Sequence, residues 1–402
     1  MVRHIGATVS QFTPSLNLDF MKGVLPVGLN FTRATQGTYF DSTGTLQTAP
    51  INTPRFDYDP VSKQLRGLLI EEQRTNFINF SNTLTSWNQT GATTTLLSGT
   101  SLGLNRYAIA CGGQNWHRAE APAFNLTSGT AYSGFILYEN TGNSGRLRFV
   151  FRNQDGAIET VVNGLIGSSS VTNSNAGTIT YTDVFITPTV RKFTYTYVPN
   201  YTGGFRLGIG PDSTTSNETI VVLAAQFEVG SFATSYIPTT TAAVTRSADM
   251  CFTNLGSWYN QGEGTMLIEF VRGVVPATNY QSFFALLSGS GSNIIALESG
   301  AATPSVQRLR VTASNVDQVI LSAINNAVAN SIYKLIGSWR VNDFAVGHTG
   351  VGVQKATSGN IPIVTSMYLG SSGGSASLNG YLRKCVYYPR RLSNSYLQAL
   401  TA

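Results

Sequence analysis

The stretch Pro54–Asn76, PRFDYDPVSKQLRGLLIEEQRTN, carries four carboxylates and four cations in a chain of 402 residues of which only 11% are charged. Asp57, Asp59, Glu71 and Glu72 are residue types that can break a glycosidic bond. One carboxyl would protonate the leaving oxygen while a second attacks the sugar or activates water. Arg55, Lys63, Arg66 and Arg74 are interleaved with them. Close opposite charges depress carboxyl pKa values and fix geometry, which suits ion pairs and not a general acid. Arg55, Asp57, Asp59, Arg66, Glu71, Glu72 and Arg74 are therefore read as a structural ion-pair block at a hinge between modules, and no residue is assigned a catalytic role.

The remaining reactive types are sparse. His4, His117 and His348 have no second ligand at metal spacing, and no nucleophile elbow is visible. Gly112–Gly113, Gly203–Gly204 and Gly373–Gly374 lack a phosphate-loop context and read as turns. Cys111, Cys251 and Cys385 are odd in number and far apart, so buried thiols are expected, without disulfides or metal. One loop does suit sugar recognition. In Gly112-Gly-Gln-Asn-Trp-His-Arg118, Trp116 offers a ring for a sugar's apolar face, and Gln114, Asn115 and Arg118 offer partners for its hydroxyls. Tyr138 and Asn140, at the end of a strand, supply further polar groups. Trp87 and Trp339 sit in alternating apolar surroundings and read as core.

The elements that must position these residues read as all-β. Gly is frequent at 40 residues, and 21 Phe with 18 Tyr favour strands punctuated by turns. Thr38–Ala49 reads as a hairpin about Asp-Ser-Thr-Gly. Residues 1–75 form an N-terminal strand and hairpin block. Residues 76–238 form an antiparallel sandwich with strands near 131–138, 145–152, 191–198, 204–209 and 220–229. The Thr-rich stretch 239–249 is an extended linker that should be open to proteases. A second sandwich occupies 250–402, expected to fold by itself, and ends in a short helix capped by Ser393.

Composition narrows the partners. The net charge of +6 comes from arginines scattered among acids and aromatics, without the clustered basic face that nucleic acid requires. No run of 18 apolar residues exists to insert in a membrane, and the opening MVRHIGATVSQFTP lacks a secretory core. Work outside the cell would need lysis or another leaderless route.

LDFMKGVLPVGLNFTRAT, TYFDSTGTLQTA, PRFDYDP and RGLLIEEQRTN together resemble a block found in structural proteins of tailed phages and prophages, in tail fibres, tail tips and head surfaces. AQFEVGSFATSYIPTTTAAVTRSAD (Ala225–Asp249) resembles the end of the carbohydrate-binding-module-like sandwich that follows that block. LNGYLRKCVYYPRRLSNSYLQALT is similar to the close of a concanavalin-like, or laminin-G-like, sandwich. The resemblance implies jelly-roll, lectin-like sandwiches in a non-enzymatic virion protein made in the host cytoplasm and exposed on the particle. It implies contacts with other virion proteins of the tail or capsid, with residues 1–75 as a framework block that docks on the virion, and a host cell-surface glycan as ligand. Capsid decoration, or a head fibre, is one alternative; a capsule or lipopolysaccharide depolymerase is another, although no β-helix repeat is present. No cofactor is called for; a calcium ion, as some concanavalin-like sandwiches hold, would need carbonyl oxygens or scattered acids. Low charge and sheet edges in need of cover predict self-association, and the resemblance implies a closed homotrimer.

Overall fold

The computed structural model describes residues 12–114, 116–140, 146–156, 158–163, 170–276, 280–289, 291–324 and 326–402. They build two antiparallel β-sandwiches and one C-terminal α-helix, Asn394–Thr401. Ser393 caps that helix, its hydroxyl accepting from the Tyr396 N–H.

The second sandwich is split in sequence. Its central strand Gly380–Tyr388 pairs along one edge with Glu263–Arg272. Its other edge takes two N-terminal strands end to end: Leu16–Asp19 opposite Tyr387–Lys384, and Leu65–Ile70 opposite Leu382–Gly380. In the facing sheet Asn30–Thr32 pairs with Met250–Asn254. Phe20, Phe31, Leu68 and Ile70 are buried in one core with Met266, Phe270, Phe284, Trp339 and Leu369. Gly67 is required where the strand crosses Leu382. Its φ is +134°, and a Cβ there would lie 2.3 Å from the Leu382 carbonyl oxygen.

This corrects the expected organisation. Residues 1–75 do not stand apart as a framework, and 250–402 is not a complete sandwich. Short strands such as LNLD and NFT bury too little to stand alone, so they complete sheets whose other members arrive more than two hundred residues later.

The first sandwich is inserted between the Leu65–Ile70 and Met250–Asn254 strands. The chain leaves through Arg74–Asn76 and returns through Val244–Arg246, and these pair antiparallel as a neck. The stretch expected as a linker is thus partly strand. Thr239, Arg246 and Asp249 in it are buried, while residues 240–245 are exposed. Inside the inserted sandwich Phe149, Phe151, Tyr195, Tyr197 and Phe227 pack ring on ring, with Phe151 and Tyr197 stacked at 4.1 Å.

One sheet of the inserted sandwich runs Gly177–Phe185, Val190–Pro199, Tyr132–Glu139, Thr219–Val229, Leu104–Cys111, Ala92–Ser101. Its outer face is covered: Phe135, Leu137 and Leu223 pack with Tyr236 and with Leu46 of the Gly37–Ala49 hairpin. The opposite sheet runs Ser170–Ser174, Glu159–Asn163, Leu147–Asn153, Gly203–Pro211, Arg118–Glu120, Asn88–Thr90. Its inner face carries Phe149, Phe151, Leu207 and Ile209. Side chains alternate along a strand, so Arg118, Glu120, Arg148, Arg152 and Arg206 share its outer face.

Candidate ligand-binding surface

The charged block divides in two. Asp57, Asp59 and Arg66 stay within the split sandwich. Arg66 donates to Asp59 at 2.6 Å and to the Tyr381 hydroxyl at 3.1 Å, and lies 3.9 Å from Asp57. Asp59 also accepts from the Val61 and Ser62 N–H groups. Partial burial would raise its pKa, but these donors and Arg66 hold it down at about 2. Asp57 goes the other way. Burial pushes its carboxyl up despite bonds from the Phe40 N–H at 2.7 Å and the Tyr381 hydroxyl at 2.8 Å.

Glu71, Glu72, Arg55 and Arg74 form the junction with the inserted sandwich. Glu71 accepts from the Ser235 N–H at 2.7 Å and hydroxyl at 2.6 Å, and pairs with Arg55 at 2.8 Å. Arg74 pairs with Glu72 at 2.6 Å, donates to the Val229 carbonyl and stacks over the Phe232 ring at 4.7 Å. Three further members were not foreseen from sequence. Asp249 accepts from Arg33 at 3.1 Å, from Arg55, and from the Glu71 N–H at 2.9 Å. Arg246 sits 3.5 Å from Glu71. All three are buried. Arg246 and Asp249 lie in the Thr-rich stretch, where nothing local marks them as interior; the neck carries them inward.

The residues expected to bind sugar do not converge as a set. Tyr138 is core, its hydroxyl donating to Asp183 at 2.8 Å, on the sheet opposite Arg118. Asn140 follows it in a turn, its N–H on the Thr189 carbonyl. Asn115 lies outside the described residues. Gln114 is exposed, and its carbonyl oxygen lies against the His117 ring at Nδ1. Trp116 remains 46% exposed, whereas Trp87 and Trp339 are buried as expected. The Trp116 ring rests on the backbone of Gly91, where a Cβ would meet its Cζ3 at 2.7 Å. Beneath the loop, buried His117 reaches the Pro211 carbonyl oxygen through Nε2 at 2.5 Å. Arg118 donates to the Trp116 carbonyl at 2.5 Å and to Glu120 at 2.6 Å. The exposed ring is thereby anchored at the end of the arginine-bearing sheet.

A cleft of about 420 Å³ separates the two sandwiches, with Asp57, Arg66 and Tyr381 on one wall and Lys192, Phe135 and Ser235 on the other. The Lys192 ammonium lies over the Phe135 ring at 4.3 Å, and burial lowers its pKa. The three cysteines are buried and unpaired, and burial pushes the Cys251 thiol up to about 12. Among the described residues no three His, Cys, Asp or Glu side chains gather as metal ligands.

No family model and no curated protein matches this chain. Among solved structures it is similar to the Ruminococcus gnavus IT-sialidase CBM40, at 15% identity over 36% of this chain and 84% of that one, with a TM-score of 0.28. It is similar to the LG1-3 region of the laminin alpha2 chain at 8% identity, covering 68% of this chain and 65% of that one, with a TM-score of 0.26. Trypanosoma rangeli sialidase in complex with the inhibitor DANA gives 10% identity, 97% coverage of each chain and a TM-score of 0.28. At such scores neither ligand nor activity transfers from any of them.

Proposed function

We propose that this chain is a non-enzymatic structural protein on the exterior of a tailed-phage particle, of the tail-fibre or receptor-binding type. Its inserted sandwich holds a host-surface glycan, and its partners are other virion proteins of the tail or capsid. The observation that carries the glycan reading is Trp116, a tryptophan nearly half exposed yet pinned from below by Gly91, His117 and Arg118. A fixed aromatic face beside hydrogen-bonding groups is what a pyranose ring needs. The phage setting rests on the resemblance of the opening block. The non-enzymatic reading draws support from Glu71, Glu72 and Asp59, whose carboxylates are engaged in ion pairs.

Two measurements test the proposal. An antibody to the chain should label intact virions in negative stain, at the tail; labelling of the head would make it a decoration protein, and no labelling would end the virion reading. Trp116→Ala should weaken binding of the purified protein to host polysaccharide several-fold without lowering its melting temperature. Equal binding by both proteins would remove Trp116 from the site. The assembled form is proposed to be a homotrimer, and light scattering at micromolar concentration checks it. A single species near the chain mass of 43.1 kDa would refute it.

One observation favours a hydrolase as second reading. Asp57, its pKa raised by burial, and Glu71, held low by arginines, border the same cleft, and two carboxyls held apart in this way divide acid and base roles. Release of reducing ends from capsule or lipopolysaccharide, abolished in Asp57→Asn, would establish it.

A further inference from the structure

The outer face of the arginine-bearing sheet holds one guanidinium that, among the described residues, no carboxylate reaches as an ion pair. Across the strands, Arg148 stands opposite Gly210, Val150 opposite Gly208 and Arg152 opposite Arg206. On the next strand Glu120 faces Gly208, and beyond it Arg118 faces Thr90. Four guanidinium groups therefore share this face. Glu120 bonds Arg118 at 2.6 Å and is reached by Arg206 at 3.6 Å and Arg152 at 3.7 Å. Glu159 lies 3.7 Å from Arg152. Arg148 is in none of these pairs. It is only 8% exposed, and among the described residues its Nη1 is buried with no hydrogen-bond partner; Glu159 and Asp212 attract it without pairing with it.

A guanidinium cannot shed its proton near neutral pH, so burial does not neutralise it as it would a lysine. Leaving it unpaired costs stability unless an anion arrives. Gly208 lets Arg118 lie flat across the sheet towards Glu120, since a Cβ there would fall 2.7 Å from Arg118 Cδ. Two strand spacings, roughly 10 Å, separate the Arg118 and Arg148 strands, and Arg118 is the residue that holds the Trp116 carbonyl. Arg118 thus ties the loop that carries the aromatic platform to the sheet face that carries Arg148.

We propose that Arg148 makes this surface selective for acidic saccharides, its guanidinium receiving an oxyanion carried by a sugar. The inference rests on the glycan-binding reading above and deepens it. A uronate carboxylate matches the planar fork of arginine in two parallel bonds. A sugar phosphate offers the same oxygens in tetrahedral form.

The test uses the full chain and calorimetric titration with trigalacturonate, its methyl ester, glucose 6-phosphate and glucose. Binding of either anionic sugar roughly 10- to 100-fold tighter than of its neutral counterpart is expected, from a charged hydrogen bond gained in a desolvated site. The two pairs tell carboxylate from phosphate. Arg148→Met should erase the preference and Arg148→Lys should keep part of it. Melting of the unliganded protein gives a second readout. Removing an unpaired buried charge should raise the melting temperature of Arg148→Met by about 2–4 °C, whereas a structural role for Arg148 would lower it or prevent folding. Equal affinity for anionic and neutral sugars, an unchanged preference in Arg148→Met, or a lowered melting temperature each overturns the proposal. If neutral host polysaccharide still binds through Trp116 in those cases, the glycan reading stands and only the acid selectivity falls. If no saccharide binds at all, both fall.

Discussion

Replacing Glu71 with glutamine tests whether the charged block is a clasp. The wild-type carboxylate is surrounded by the Ser235 N–H and hydroxyl, Arg55 at 2.8 Å and Arg246 at 3.5 Å. Burial alone would raise its pKa, but Arg246 and Arg55, with the Ser235 donors, bring it from 4.5 to about 2. That depression corresponds to about 3 kcal/mol of folding stability. Because the folded pKa is the lower one, this stability is present above about pH 4.5 and is lost as the pH falls towards 2. In Glu71→Gln an acceptor oxygen becomes an NH₂ group facing cations, and Arg33, Arg55 and Arg246 are left with Asp249 as their buried counter-ion. Removing one partner from such a cluster costs about 3–5 kcal/mol. Urea unfolding of the full chain at pH 7 should show a loss of that size, and the variant should lose the corresponding part of the acid limb between pH 4.5 and 2. Glu72→Gln is the control. The Glu72 side chain is 36% exposed and its pair with Arg74 is at the surface, so about 1 kcal/mol or less is at stake. A Glu71→Gln stability within about 0.5 kcal/mol of wild type, or an unchanged acid limb, would refute the clasp.

Dissection should give unequal halves. Residues 77–238 alone should show β-type circular dichroism and cooperative melting, whereas 250–402 alone should not. The latter loses Phe20, Phe31, Leu68 and Ile70, whose burial is worth about 6–12 kcal/mol, as much as a whole domain's stability; cooperative melting of 250–402 would contradict the pairing described. Glu228 predicts the opposite pH dependence to Glu71. Burial raises its carboxyl to about 7 although the Thr234 hydroxyl donates to it at 2.9 Å. Its contribution is therefore complete below about pH 4.5 and lost as pH rises through 7, so Glu228→Gln should be the more stable protein at pH 8, and equal melting temperatures there would refute it.

Much of the architecture was legible because strands leave local marks. Within Val190–Pro199, residues 191–199 alternate strictly between buried and half-buried, and Ser393 sits where a cap belongs. The domain boundaries were not legible, because which strand completes which sheet is a long-range matter. Nothing in LNLD specifies a partner near Lys384–Tyr387. The clasp was half legible: Arg55 and Glu71 stand out by spacing, but Asp249 and Arg246 look like an unremarkable linker end. Tyr138 misled for a definable reason. Every residue of Tyr132–Glu139 is buried, since the hairpin at Gly37–Ala49 helps cover the outer face, and a strand covered on both sides shows no alternation to separate core from surface. Arg148 carried no signal either, because its lack of a partner exists only once the sheet is assembled.

The split sandwich also sets a timetable. Leu65–Ile70 leaves the ribosome about 310 residues before its partner, the strand beginning at Gly380. At 5–20 residues per second that is a wait on the order of 15–60 s, during which Phe20, Phe31, Leu68 and Ile70 are without the core they will occupy. The inserted sandwich, contiguous in sequence, can close first. Its closure brings Arg74–Asn76 and Val244–Arg246 together, shortening the loop that the early strands must otherwise close. The insertion thus acts during synthesis as a splint, holding the two severed parts of its neighbour in register until the last strand emerges.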